Sequence, residues 1–121
     1  MSEYLILSNT NEYIRIAAEC LVYIASDGNY SDICTCDGGS RKVTMQLGVI
    51  EERIHEQLLS DEEQFVRIGR SLIVNLHFLT YINLLKKQIV LSDNRTFKYN
   101  LEASKEALRQ LKEYYEQEYK Q

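Results

Sequence analysis

Three observations predict an α+β fold, mostly β, built on an antiparallel sheet core. Short stretches rich in β-branched and aromatic residues recur through the first hundred positions, with turn residues between them. Only two segments carry a helical period, one in mid-chain and one at the C-terminus. Strands and helices do not alternate regularly, as a parallel βαβ sheet would require. At 121 residues, with no proline, no low-complexity linker and no repeat, the chain makes one domain spanning 1–121.

The elements follow in order. EYIRI (12–16), LVYIAS (21–26), YSDICTC (30–36) and RKVTM (41–45) read as strands, broken by Asp27-Gly28-Asn29 and by Asp37-Gly38-Gly39-Ser40. The second of these is a strong hairpin signal, because two glycines supply positive φ in a tight turn. From Leu47 to Leu59 the period changes. Leu47, Ile50, Ile54 and Leu58 recur at three and four, with Glu51, Glu52, Arg53 and Glu56 between them, which predicts one amphipathic helix. QFVRI (64–68), SLIVN (71–75), LTYINLL (79–85), QIVLS (88–92) and RTFKY (95–99) return to strand patterns, with hairpin turns at Lys86-Lys87 and Ser92-Asp93-Asn94. A second helix is expected from Leu101 through Ala103, Ala107, Leu108, Leu111 and Tyr115.

Several function classes find little support. Neither His55 nor His77 has a companion at metal-ligand spacing, and no Gly-rich phosphate loop, GxSxG elbow or HExxH occurs. Glu51-Glu52 and Asp61-Glu62-Glu63 read as solvated charge runs rather than acid/base pairs. No catalytic residue, metal ligand or cofactor site is therefore assigned. Cys20, Cys34 and Cys36 form an odd count without framework spacing, which argues against a secreted disulfide scaffold. Cys34 and Cys36 are expected on one face of a strand as small buried hydrophobes, with no His or third Cys nearby in sequence. No apolar run approaches the roughly 18 residues needed to span a bilayer. The start, MSEYLILSNTNEY, lacks a basic n-region followed by a long apolar stretch, so a cytoplasmic protein without membrane contact is expected.

A net charge of −4 argues against generic nucleic-acid binding, but the average hides a division. Residues 1–60 carry four cations against nine acids, net −5. Residues 64–100 carry Arg67, Arg70, Lys86, Lys87, Arg95 and Lys98 against Asp93 alone, net +5. Arg67 and Arg70 flank Ile68-Gly69 between two strands, so both fall at one end of a sheet. Guanidinium groups there can fork onto phosphates or guanine edges, or they can pair with acids of the first half.

Phe65, Arg67, Arg70, Ser71, Val74 and Asn75 in QFVRIGRSLIVNL form the pattern by which the chain resembles the LytTR family of bacterial DNA-binding domains, found mostly at the C-terminus of response regulators in two-component systems. VYIASDGNYSDI matches that family's strand and acidic-Gly-Asn-Tyr turn, and MQLGVIEERI matches its helix start. Order and spacing of the three blocks agree over roughly 12–112. The resemblance implies stacked antiparallel sheets whose edge loops enter successive major grooves at promoter repeats. It also implies contacts to double-stranded DNA from three places: Asn29, Tyr30 and Ser31; the RIGRS stretch with Arg67, Arg70, Ser71 and Asn75; and a loop between the final strand and the last helix, placed at Lys98 to Leu101, with Lys98 on phosphate and Asn100 on a base. Gly69 stands where the family usually has His, and Tyr99-Asn100 where its final strand usually ends in Ser-Arg.

The function expected is a sequence-specific transcription regulator, acting as a homodimer on DNA or beside a partner regulator. The competing expectation is an interaction module of the same fold that has lost DNA binding. With strands starting within a dozen residues of Met1, no receiver domain is expected, and a stand-alone protein is favoured over one excised from a longer regulator.

Overall fold

The structure is a computed structural model, and it describes residues 3–58 and 64–118. Those residues form ten strands in three antiparallel sheets and two helices. They divide into two compact units, Met1–His77 and Phe78–Gln121. None of the described helices is long and apolar enough to cross a membrane.

In the first unit, β1 (Tyr4–Ser8) and β2 (Tyr13–Ala17) make a hairpin. The strand patterns begin only at residue 12 and do not include β1, although Leu5 and Leu7 alternate inward and are fully buried. Asn9 builds the turn, its Oδ1 accepting from the backbone N–H groups of Asn11 and Glu12. A five-stranded sheet follows, containing β3 (Leu21–Asp27), β4 (Tyr30–Thr35), β5 (Ser40–Val43), β6 (Phe65–Ile68) and β7 (Leu72–Asn75) in the order β5-β4-β3-β7-β6. Helix α1 (Leu47–Gln57) sets Leu47, Ile50 and Ile54 against this core, with Leu58 buried at its C-cap. The expected last helical residue, Leu59, and the acidic run Asp61-Glu62-Glu63 lie outside the described residues. Gln57 completes the edge of β1. Its amide accepts from the Ile6 N–H at 2.7 Å and donates to the Ile6 carbonyl at 2.9 Å, standing in for a neighbouring strand.

The second unit contains β8 (Leu79–Asn83), β9 (Gln88–Ser92) and β10 (Lys98–Glu102) in a meander, followed by α2 (Lys105–Glu118). Ile89 and Leu91 on one side of the meander are fully buried, as is Leu108 of α2. The last strand begins three residues later than RTFKY predicts, and the reason is Asp93. Its Oδ1 accepts from the N–H groups of Arg95, Thr96 and Phe97, and its Oδ2 from the Thr96 hydroxyl, so the chain stays in a loop through Phe97. These bonds, the Thr96 hydroxyl first, hold the Asp93 carboxyl well below the usual carboxylate range.

Cys34 is buried on β4, but the strand ends at Thr35 and Cys36 lies beyond it, half-buried. The isolation expected of this pair does not hold in space. The Cys36 N–H donates to the Cys20 carbonyl at 2.8 Å, so the third cysteine is brought alongside. Among the described residues no group of three or more His, Cys, Asp or Glu is placed to hold a metal ion.

Candidate functional site

Two turns of the first unit lie at the same end of its five-stranded sheet. Gly28 and Asn29 join β3 to β4 as a two-residue loop, with Asp27 paired to Tyr30. Positive φ occurs at Gly28 (+64°) and not at Asn29, the type II′ pattern that suits a right-twisted hairpin. The second turn, Gly69 to Ser71, joins β6 to β7. Gly69 takes φ +62°, a backbone geometry that explains a glycine at the position where the family usually has His. Ser26 near the end of β3 donates its N–H to the Ser71 carbonyl at 2.8 Å, and this bond fixes the two turns side by side.

The expected site residues divide by burial. Asn29 and Tyr30 are exposed at the first turn, and Arg70 is exposed at the second. Asn29 Oδ1 accepts from Gln46 Nε2 at 3.2 Å, which leaves its own amide N–H groups for a ligand. Lys42 reaches both Asp27 and Asp32, lies 5.8 Å from the centroid of the Tyr30 ring, and has its pKa raised by Asp27 and then Asp32. Arg67 is committed within the protein. It donates to Glu51 of α1 at 2.8 Å and to the Arg70 carbonyl at 3.1 Å, clamping the turn from which Arg70 projects. Arg70 itself has no side-chain partner among the described residues.

Ser31 and Asn75, expected as DNA contacts, are both 0% exposed and are placed as internal ties. The Ser31 hydroxyl donates to the Met45 carbonyl at 2.7 Å, holding β4 to the approach into α1. Asn75 donates to the Leu21 carbonyl at 2.7 Å, and its Oδ1 accepts from Gln64 Nε2 at 2.8 Å and from the His77 N–H at 2.9 Å. Ser71 is exposed.

In the second unit Lys98 and Asn100 sit within β10 rather than in a loop. The true connection between the last strand and the last helix is Ala103-Ser104, where Ser104 Oγ accepts from the Ala107 N–H at 3.2 Å. The exposed cation next to it is Lys105, the first residue of α2. Nothing in the sequence singles out Gln46, and Glu51, expected in a solvated charge run, instead pairs with Arg67, the alternative that the charge division leaves open for these arginines.

Residues 11–116 match the family model described as the LytTr DNA-binding domain. Among solved structures the chain is similar to a LytTr DNA-binding domain from Bacillus cereus, of a protein described as a methyl-accepting/DNA response regulator. That likeness has a TM-score of 0.60 at 17% identity and covers 92% of this chain and 94% of that one, which establishes a common fold. The comparison with curated proteins gave no match.

Proposed function

The chain belongs to the LytTR family of DNA-binding domains, and on that premise we propose that it is a sequence-specific transcription regulator whose turns enter the major groove of double-stranded DNA at promoter repeats. One observation carries the reading. Arg70, whose side chain has no partner among the described residues, projects from a turn that Arg67 and Glu51 clamp, beside a second turn presenting Asn29 and Tyr30. A guanidinium can hold a phosphate or fork onto guanine, and an asparagine amide can pair with adenine. Pre-fixing the turn lowers the entropic cost of ordering those groups on DNA.

In this reading Arg67, Ser31 and Asn75 hold the turns in place and do not touch DNA. Lys105 takes the basic contact at the junction of strand and helix. The protein acts in the cytoplasm, as a homodimer on repeated half-sites or with a partner regulator.

Selection of duplexes from a promoter library with the purified chain, followed by competition against random duplex at low salt, tests the proposal. A selected duplex should compete far more strongly than random DNA. Equal competition would overturn the reading and favour an interaction module of the same fold.

A further inference from the structure

The polar face of the meander in the second unit has no role in the turn contacts proposed above. Register places its groups in cross-strand rows. Lys98 lies opposite Ser92, Asn100 and Tyr81 lie on either side of Val90, and Glu102 and Asn83 on either side of Gln88. These residues face away from Ile89 and Leu91, which point into the core. The face forms a shallow, open depression of about 780 Å³, with Arg95 at its rim.

Its chemistry is specific. Tyr81 is 47% exposed, and its hydroxyl accepts from Asn83 Nδ2 at 2.9 Å, which anchors the ring. Gln88 Nε2 donates to Asn100 Oδ1 at 3.4 Å, leaving an amide donor on Asn100 and an acceptor on Gln88. No carboxylate lines the depression, while Arg95 and Lys98 do, and neither side chain has a partner among the described residues. Asp93 nearby is spent on its own loop. The β8–β9 turn adds Lys86 and Lys87 at the opposite end of the strands, where Glu102 is the one acid of the last row.

Cations at both ends of a strip, with an aromatic ring and two amides between them, match what a nucleic-acid strand presents: phosphates at intervals and a base with a π face and polar edges. The face does not suit a duplex. Three strands about 4.8 Å apart, with their side chains, fill a major groove that admits a helix or a two-stranded ribbon, and paired bases keep their faces stacked away from Tyr81. We infer that this sheet face binds single-stranded nucleic acid, with an unpaired base stacked on Tyr81, its edge on Asn100 and Gln88, one flanking phosphate on Lys98 and Arg95, and the other on Lys86 or Lys87 at the opposite end.

The test is fluorescence anisotropy with a labelled ten-nucleotide thymidine single strand and the whole chain at low salt, with circular dichroism confirming the fold of each variant. Wild type should bind saturably. Tyr81→Ala should weaken binding about thirtyfold, the middle of the range for one stacked base, while Tyr81→Phe, which keeps the ring and loses only its anchor to Asn83, weakens it far less. Arg95→Ala should flatten the log–log salt dependence by about 0.7. No saturable binding by wild type, or Tyr81→Ala binding as tightly as wild type, would overturn the inference. The assay contains no duplex, so it stands or falls separately from the turn contacts; Tyr81→Ala should leave affinity for a selected duplex unchanged.

Discussion

The guanidinium of Arg67 on β6 meets the carboxylate of Glu51 on α1 at 2.8 Å, and the same guanidinium reaches the carbonyl of Arg70 at 3.1 Å. One side chain thus ties helix, strand and turn together, and its charge is neutralised before any ligand arrives. The Arg67 side chain is 30% exposed and that of Glu51 35%, so screening by water keeps the pair worth no more than about 1 kcal/mol of stability. The consequence lies in the geometry of the turn.

Arg67→Ala should therefore lower affinity for a selected duplex severalfold while leaving the salt dependence of binding unchanged, because no phosphate contact is lost. Glu51→Gln, which keeps a hydrogen-bond acceptor, should have a smaller effect. Anisotropy titrations at several salt concentrations check this. A slope that falls by about 0.9 in Arg67→Ala would show that Arg67 touches a phosphate directly.

Asn75 gives a prediction about stability. Its amide satisfies the Leu21 carbonyl, the His77 N–H and the Gln64 side chain, at a position fully removed from water. Asn75→Ala strands these groups and should cost on the order of 2–4 kcal/mol. The urea midpoint should drop markedly, and base preference should be intact in the fraction that remains folded. An unchanged midpoint would contradict the role of Asn75 as an internal tie.

These residues mark where the sequence was legible and where it was not. Strand periodicity and turn chemistry located β2 to β9 and α1 to within a few residues, because alternation and glycine placement are local properties. Strand β7 went further than its pattern: Ile73 is buried together with Leu72 and Val74, since β7 is an interior strand between β3 and β6. What failed was whatever depends on a partner distant in sequence or on a side chain capturing backbone. Asp93 delays β10 through four hydrogen bonds that no hydrophobic pattern records. The motif around RIGRS points to this turn, but it cannot say that Arg67 is held by Glu51 while the Arg70 side chain has no partner among the described residues, because that division depends on where α1 packs.

Cysteine reactivity should follow local environment. Burial, and the Cys20 sulfur beside it, push the Cys36 thiol up to about 11, and burial also raises Cys34. Iodoacetamide labelling of Cys36, followed by mass spectrometry, should be slow at pH 8 and accelerate towards pH 11, while Cys34 stays protected until the chain unfolds. The sign for stability follows. A raised thiol pKa contributes stability that is complete below the unfolded value near 9 and is lost as pH rises through 11, so the denaturation midpoint should decline over that window. Labelling of Cys36 at pH 8 as fast as in the unfolded chain would contradict this environment.

Arg70, Asn29 and Lys105 should separate by the kind of loss each causes on duplex DNA. Lys105 is a flexible point charge at the start of α2, so Lys105→Ala should remove one phosphate contact: affinity falls on all sequences alike, and the log–log salt slope flattens by about 0.9. Asn29 is uncharged, so Asn29→Ala should leave the slope alone and reduce discrimination at one base pair by roughly 1–3 kcal/mol. Arg70 carries a charge on a clamped turn and can act in either way, and the two outcomes exclude each other in one titration. If Arg70→Ala flattens the slope and keeps base preference, it holds a phosphate; if it keeps the slope and relaxes one position, it reads guanine. Anisotropy on a selected duplex and its single-base variants, across several salt concentrations, resolves all three residues. Arg70→Ala binding every duplex as wild type does would remove the arginine on which the proposed function rests.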